Sequence, residues 1–266
     1  MKAQEIIDVL NQDRSWVNFD QTRDVVLFGE PSLEITKVGV CWVATMSVIQ
    51  TAIDLGINFI ISHENCFYEE STAQRKAIRE ARFLKMELLK QHGICVYRCH
   101  DVWDKMPEYG VADAWASIID LPFKPRNVAS FNSFAHFEPR SVQQIASKIA
   151  NGIQPYGQDY VTILGDPNQR VTSVAIGTGA ATDVFSMIKE GAECVVVSDD
   201  GKNNWVAGQY CVDFKIPMII VHHPSCENPG IMKMAEYLKI EFPQIRTEYI
   251  DSGFEFHTIV STKHPR

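Results

Sequence analysis

The sequence predicts an α/β fold made of two related α/β repeats, and three observations predict it. Short apolar runs of strand length alternate with segments of helical spacing. The order strand, helix, strand, helix, strand occurs once in each half of the 266 residues. In both halves, runs end in histidines and acids. Ligands of α/β proteins gather just outside the carboxyl ends of the strands, so this last feature ties the fold to a site.

The opening MKAQEIIDVLNQD has the spacing of a short amphipathic helix. Val38 to Val43 (VGVCWV) reads as a strand. Val48, Ile49, Ala52 and Ile53 then recur at helical spacing over 46–54, and Gly56 closes that helix. Phe59 to Ser62 (FIIS) is the next strand and leads into His63-Glu64. Ser71 or Thr72 is positioned to cap a helix that runs to about His92, with Gly93 at its end. Ile94 to Arg98 (ICVYR) follows as a strand, then His100 and Asp104.

The second half repeats the plan. Val174 to Gly177 is a strand, Ala181 to Lys189 carries helix spacing stopped by Gly191, and Cys194 to Ser198 (CVVVS) ends in Asp199-Asp200. A helix over roughly Trp205 to Phe214 leads to the strand Met218 to Val221, then His223 and Glu227. Asn228-Pro229-Gly230 reads as a helix start, with Asn as cap and Pro in the first turn. Matching acid-bearing strand ends in the two halves point to an internal duplication. Residues 121–170 are less regular, punctuated by Pro122, Pro125, Pro139, Pro155 and Pro167, with a capped helix over Ser141 to Ala150. The expected division is residues 1–125 and 126–266, with the C-terminal strands able to pack on the first lobe.

Composition narrows the function classes. A hydrophobic content of 45% is enough to fill a core. The net charge of −8 argues against a general nucleic-acid surface, which needs an excess of Lys and Arg. No stretch approaches the roughly 18 to 20 apolar residues of a membrane span, and the N-terminal segment lacks the apolar core of a signal peptide. Seven cysteines without a C-x-x-C pair fit neither a disulfide framework nor a zinc ribbon. The expected setting is the cytoplasm, with reduced thiols.

Imidazoles and carboxylates at strand ends are a donor set that divalent metals take. The candidate ligands are His63, Glu64, Asp104, His223 and Glu227. Five donors exceed one four-coordinate site. Two ions about 3.5 to 4 Å apart would use them all, and one ion with spare acids is the alternative. His100 is open between a proton relay beside the metals and a buried structural histidine. His222 faces away from His223 along the strand and reads as structural. His92, His136, His257 and His264 lack an acid-rich setting. Arg75, Arg79 and Arg82 share a helix face, read as solvated in preference to an anion site. Gly177-Thr178-Gly179 is only a fragment of a phosphate-binding fingerprint. Phe67, Tyr68, Trp103 and Trp205 are candidates to stack a heterocycle, with core packing as the alternative.

The segments AIDLGINFIISHE, GICVYRCHDVWD, VAIGTGAATDVFSMIKEGAECVVVSDD and IIVHHPSCENPG resemble the Nif-three-like family, dinuclear-metal-centre proteins described as homologues of type 2 GTP cyclohydrolase. The resemblance implies two related repeats, three-layered with mixed sheets, around a metal-binding cleft. It implies a toroidal homohexamer, and two divalent ions (zinc, manganese, iron or magnesium) on His63, Glu64, Asp104, His223 and Glu227. Glu64 stands where members usually carry a second histidine, Val43 where an acid is common, and Asn203 and Asn204 where histidines are frequent. The Gly/Arg-rich stretch of the family's middle is not evident around FNSFAHFEP. The expected activity is metal-dependent hydrolysis of a small polar substrate, nucleotide-like or phosphorylated, with His100 relaying protons. The competing class is a non-catalytic metal-binding or protein-interaction module.

Overall fold

Val38, Val40, Phe59, Ile61, Cys95 and Tyr97 face one hydrophobic core, while Cys41, Ile60 and Val96, alternating with them along the same strands, face another. A strand buried on both faces needs cover on both, and this requirement sets the layering of the molecule. The computed structural model describes residues 1–68, 72, 74–180, 182–201 and 204–259. Two compact units result. The first takes Met1–Ala114, Asn127–Ser130 and Glu227–Gly253, and the second takes Trp115–Arg126, Phe131–Cys226 and the chain from Phe254 on.

With elements numbered along the chain, the first unit's sheet contains β1 (Val25–Phe28), β2 (Lys37–Cys41), β3 (Phe59–Ser62), β4 (Cys95–Arg98) and β10 (Arg246–Tyr249), in the order β1-β4-β3-β2-β10. The last four are parallel, and β1 closes the edge antiparallel to β4. α1 (Ala3–Asn11), α4 (Asp101–Lys105) and the later part of α9 (His223–Glu241) contribute to one core. α2 (Met46–Leu55) and α3 (Lys76–Gln91) contribute to the other.

After α5 (Val111–Ser117), the second unit's sheet contains β5 (Ser133–Ser141), β6 (Thr162–Leu164), β7 (Arg170–Ile176), β8 (Val195–Ser198) and β9 (Met218–Val221), in the order β5-β7-β8-β9-β6. α6 (Val142–Ile153) covers one face, and α7 (Val184–Lys189) and α8 (Asn204–Phe214) cover the other. The sheets share a topology. Each has three consecutive parallel strands, β2-β3-β4 or β7-β8-β9, and a preceding strand returns antiparallel against the third. They differ at the other edge, where β10 is parallel to β2 but β5 is antiparallel to β7.

Local signals explain most boundaries. Thr45 caps α2 by accepting from the Val48 N–H, and Gly56 ends it in the left-handed region at φ +67°. Ser141 and Gln144 form a capping box on α6. Asp183 caps α7, so this helix opens at Val184; Ala181, read as its start, lies outside the described residues. The third helix also starts later than its sequence suggests. Thr72 sits in a preceding turn and α3 begins at Lys76; Ser71 lies outside the described residues.

The helix start at Asn228-Pro229-Gly230 is overturned. α9 already begins at His223, and Pro229 lies inside it. Tertiary packing overrides the proline's local preference. The Gly230 backbone lies against Val111, where an added Cβ would come within 2.6 Å, and its carbonyl accepts the Trp103 indole N–H at 2.8 Å.

Candidate metal centre

Sheet register brings the first unit's chemistry together. Cys41, Ser62 and Arg98 are neighbours on one rung at the carboxyl ends of β2, β3 and β4. The residues that follow, Trp42, His63 and Cys99, therefore leave adjacent strands at the same level. The His63 Nδ1 lies 3.1 Å from the Cys99 carbonyl oxygen. That oxygen can only accept, so Nδ1 carries a proton, and Nε2 is the nitrogen left to meet a cation. His63 is wholly buried, and its Nε2 has no hydrogen-bond partner. It lies 3.4 Å from Asp104 Oδ1 and 3.4 Å from Glu227 Oε2.

Each neighbouring acid is held by further contacts. Glu227, on α9, accepts from the Trp42 indole at 2.8 Å. Asp104 Oδ2 is 3.2 Å from His100 Nδ1, four residues back at the start of α4. The His100 ring stacks on His63 with centroids 4.5 Å apart and 5° between planes. Asp24 fixes this turn by accepting from the His100 N–H at 2.5 Å and the Val102 N–H at 3.1 Å. Burial raises the Asp24 carboxyl despite the hydrogen bonds that stabilise its charge. Burial disfavours the His100 imidazolium, but Asp104, Asp101 and Glu64 outweigh it and hold His100 well above the usual histidine range. For Glu64, burial works upward, yet the His100 hydrogen bond and the neighbouring His63 and His100 bring its carboxyl down to about 2. Glu64 Oε2 also accepts from Arg98 Nη2 at 2.7 Å, and the Arg98 Nε–H bonds the His63 carbonyl at 3.2 Å.

These residues fit a divalent metal. A buried imidazole nitrogen 3.4 Å from two carboxylate oxygens calls for a cation between them, and a metal ion can fill that role. Donors about 2.0 to 2.2 Å from a tetrahedral ion stand roughly 3.4 Å apart, which matches both separations from Nε2. The Nδ1–H bond to a backbone carbonyl is the support that metal-bound histidines ordinarily have. Two triads place one donor atom per residue within 4.8 Å of each other: His63, His100 and Asp104, and His63, Glu64 and Glu227. One lone pair serves one ion, so His63 anchors a metal in one triad at a time.

The second unit carries its own acid–histidine cluster. His223 Nδ1 lies 2.8 Å from Asp200 Oδ2, and its backbone N–H donates to Asp199 Oδ1 at 3.0 Å. Burial opposes ionisation of Asp200, but the bond and charge of His223, with help from Ser198, lower its carboxyl below the usual range. His222 is held at both ring nitrogens, by Asp199 at 2.6 Å and by the Tyr160 hydroxyl at 2.8 Å, and stacks on Phe256. Of the six residues proposed from sequence, His63, Glu64, His100, Asp104 and Glu227 gather in the first unit. His223 sits with the acids of the second.

Other expectations resolve simply. Phe67 and Trp103 are core residues, Tyr68 lies under the Lys85 ammonium, and Trp205 is 89% exposed. The Gly177-Thr178-Gly179 carbonyls at 178 and 179 accept from Thr182, closing the loop on itself. His264 and Asn203 lie outside the described residues. Trp42, Arg98 and Asp24 were not foreseen as parts of the centre. The available signal was Arg98 itself, a charge ending an otherwise apolar buried strand.

A model of the family Duf34/NIF3 (NGG1p interacting factor 3) matches residues 1–255. The chain is similar to a Clostridium perfringens protein named GTP cyclohydrolase 1 type 2 homolog, at 23% identity over 276 residues, covering 100% of this chain and 98% of the relative. A Chlamydia pneumoniae protein of the same name is 23% identical over 233 residues, covering 86% and 88%. In fold the chain is similar to a Staphylococcus aureus hypothetical protein, with TM-score 0.77, 19% identity and coverage of 97% and 99%. A Bacillus cereus protein related to NIF3 gives TM-score 0.76 at 12% identity, covering 98% and 99%.

Proposed function

The chain belongs to the Duf34/NIF3 family, and from that premise we propose that its His63 cluster is a divalent-metal centre supporting hydrolysis of a small polar substrate. The observation that carries this reading is the buried His63 Nε2, without a hydrogen-bond partner and 3.4 Å from two carboxylates. His63, with His100 and Asp104 or with Glu64 and Glu227, would hold the ion. A bound divalent ion supplies Lewis acidity to a carbonyl or phosphoryl oxygen and acidifies water. Trp42 orients Glu227, Asp24 orients the turn that carries His100, and His100, surrounded by Asp101, Asp104 and Glu64, would hand a proton to a leaving group where it is not itself a ligand.

The fuller form of this reading has two ions, in a cytoplasmic homohexamer of about 180 kDa. The substrate class is nucleotide-like or phosphorylated, matching the polar, cation-bearing site. The non-catalytic alternative draws on one observation. Glu64 and Glu227 already receive Arg98 and Trp42, so their capacity to act as a general base is reduced.

Metal analysis of protein purified without chelator, followed by a hydrolysis screen of nucleotides and phosphoesters, tests the proposal. Retained metal and chelator-sensitive turnover are expected. Turnover unaffected by chelation, or a protein that binds no divalent metal, would overturn it. Light scattering tests the assembly, and a monomer at micromolar concentration would contradict the hexamer.

A further inference from the structure

Arg98 ends β4 inside the acid–histidine cluster, and its side chain is only 12% exposed. Its position follows from the sheet. Ser62 and Arg98 share a rung, so the guanidinium lies beside the residues that leave β3, donating from Nε to the His63 carbonyl and from Nη2 to Glu64 Oε2. This is a cation built into the group of residues that would hold metal, a cation that the donor residues alone do not reveal.

Charge balance gives Arg98 a consequence. Glu64, Asp104 and Glu227 bring three negative charges, and with three carboxylates alone two dications leave a single positive charge, which one hydroxide could neutralise. Arg98 adds a positive charge, so two dications would leave two. Counting the three carboxylates and Arg98 alone, one dication leaves none. Asp101 does not change this balance, because it has its own cation in Arg23 at 3.6 Å. Geometry agrees with charge. His63 offers one lone pair, directed between Asp104 and Glu227, whereas Glu64 already lies against Arg98 at 2.7 Å and His100 at 3.5 Å.

We propose that the Arg98 guanidinium takes the place of a second cation in the His63 cluster, leaving a centre for one divalent ion. This rests on the metal-centre reading and refines it. Glu64 is then the counter-ion of Arg98, and the ion sits on His63 with His100 and Asp104, the triad that leaves Glu64 out. A buried arginine–carboxylate pair of this kind is net neutral, while loss of one member leaves an uncompensated charge.

Calorimetric titration of metal-stripped full-length protein with manganese alone provides the test, with spectroscopic counting of bound ion. Wild type takes up one ion per chain. Arg98→Gln exposes the Glu64 charge and takes up a second, while Arg98→Lys, which keeps the charge, stays at one. The double variant Arg98→Gln/Glu64→Gln removes the pair as a neutral unit. It returns to one ion, with affinity within about threefold of wild type. Because two amides replace a buried ion pair, the double variant also covers the case in which Arg98→Gln does not fold.

Wild type binding two ions of similar affinity would overturn the proposal while leaving the metal centre standing. So would a double variant weakened by about a hundredfold or more, the mark of Glu64 as a direct ligand. An unchanged count and affinity in a folded Arg98→Gln would also overturn it. No manganese binding by wild type would overturn both readings together.

Discussion

His63 combines two features that rarely coexist without a metal: complete burial and an imidazole nitrogen left without a hydrogen-bond partner. A buried polar group left unpaired costs about 1 to 3 kcal/mol, so the arrangement is stable only if something else meets that nitrogen. Trp42 makes a sharp test of this account. Its indole N–H reaches Glu227 Oε2, and Trp42→Phe removes the donor while keeping most of the aromatic bulk. Metal affinity should fall by about 10- to 100-fold, the usual effect of losing a partner that orients a ligand. Calorimetry that found affinity unchanged would remove Trp42 from the centre. Legibility in sequence was uneven at this scale. His63, Glu64, His100 and Asp104 follow strands and are visible as donors. Trp42 and Arg98 lie at the ends of apolar runs, where residue type suggests packing and only the rung of the sheet reveals a contact with Glu227 or Glu64.

Among the elements, those with strong local signals were legible, and those set by packing were not. β3 and β9 match the apolar runs FIIS and MIIV residue for residue. The cap of α6 was visible in Ser141, and the structure adds Gln144 as the other half of a capping box. Ser141→Ala should destabilise the fold by about 1 kcal/mol, read as a lower urea midpoint with unchanged m-value. An unchanged midpoint would show that tertiary contacts alone hold the start of α6. α9 was misread because Pro229 suits a first turn, whereas contacts to Val111 and Trp103 keep the helix continuous through it. Helix-start signals predict what the isolated chain prefers, and here packing supplies the larger energy. β10 joins the first sheet from the far end of the sequence, a pairing no local pattern encodes.

At the scale of the whole molecule, the repeated topology explains why acid–histidine clusters recur, since equivalent strands deliver equivalent ends. His63-Glu64 follows β3 as Asp199-Asp200 follows β8, and His100 follows β4 as His223 follows β9. The hydrophobic cores on both faces of each sheet also bury all seven thiols. Burial pushes Cys66, Cys95 and Cys211 up to about 11 and Cys194 to about 12. A thiol reagent at pH 8 should label almost none in the native protein and all seven after denaturation; rapid native labelling would contradict this packing. The unfolded chain ionises these thiols near their ordinary value of 9.0 while the fold keeps them protonated. Their contribution to stability is therefore full below that value and lost as pH rises toward about 11 and 12, which thermal melts across this range can follow. The central claim, that a divalent ion belongs on His63, is tested most directly by anomalous diffraction from crystals of the full chain grown with zinc. The account predicts a peak at bonding distance from His63 Nε2, shared with carboxylate oxygen and absent in His63→Ala. A peak confined to other residues, or none at all in well-ordered wild-type crystals, would contradict it.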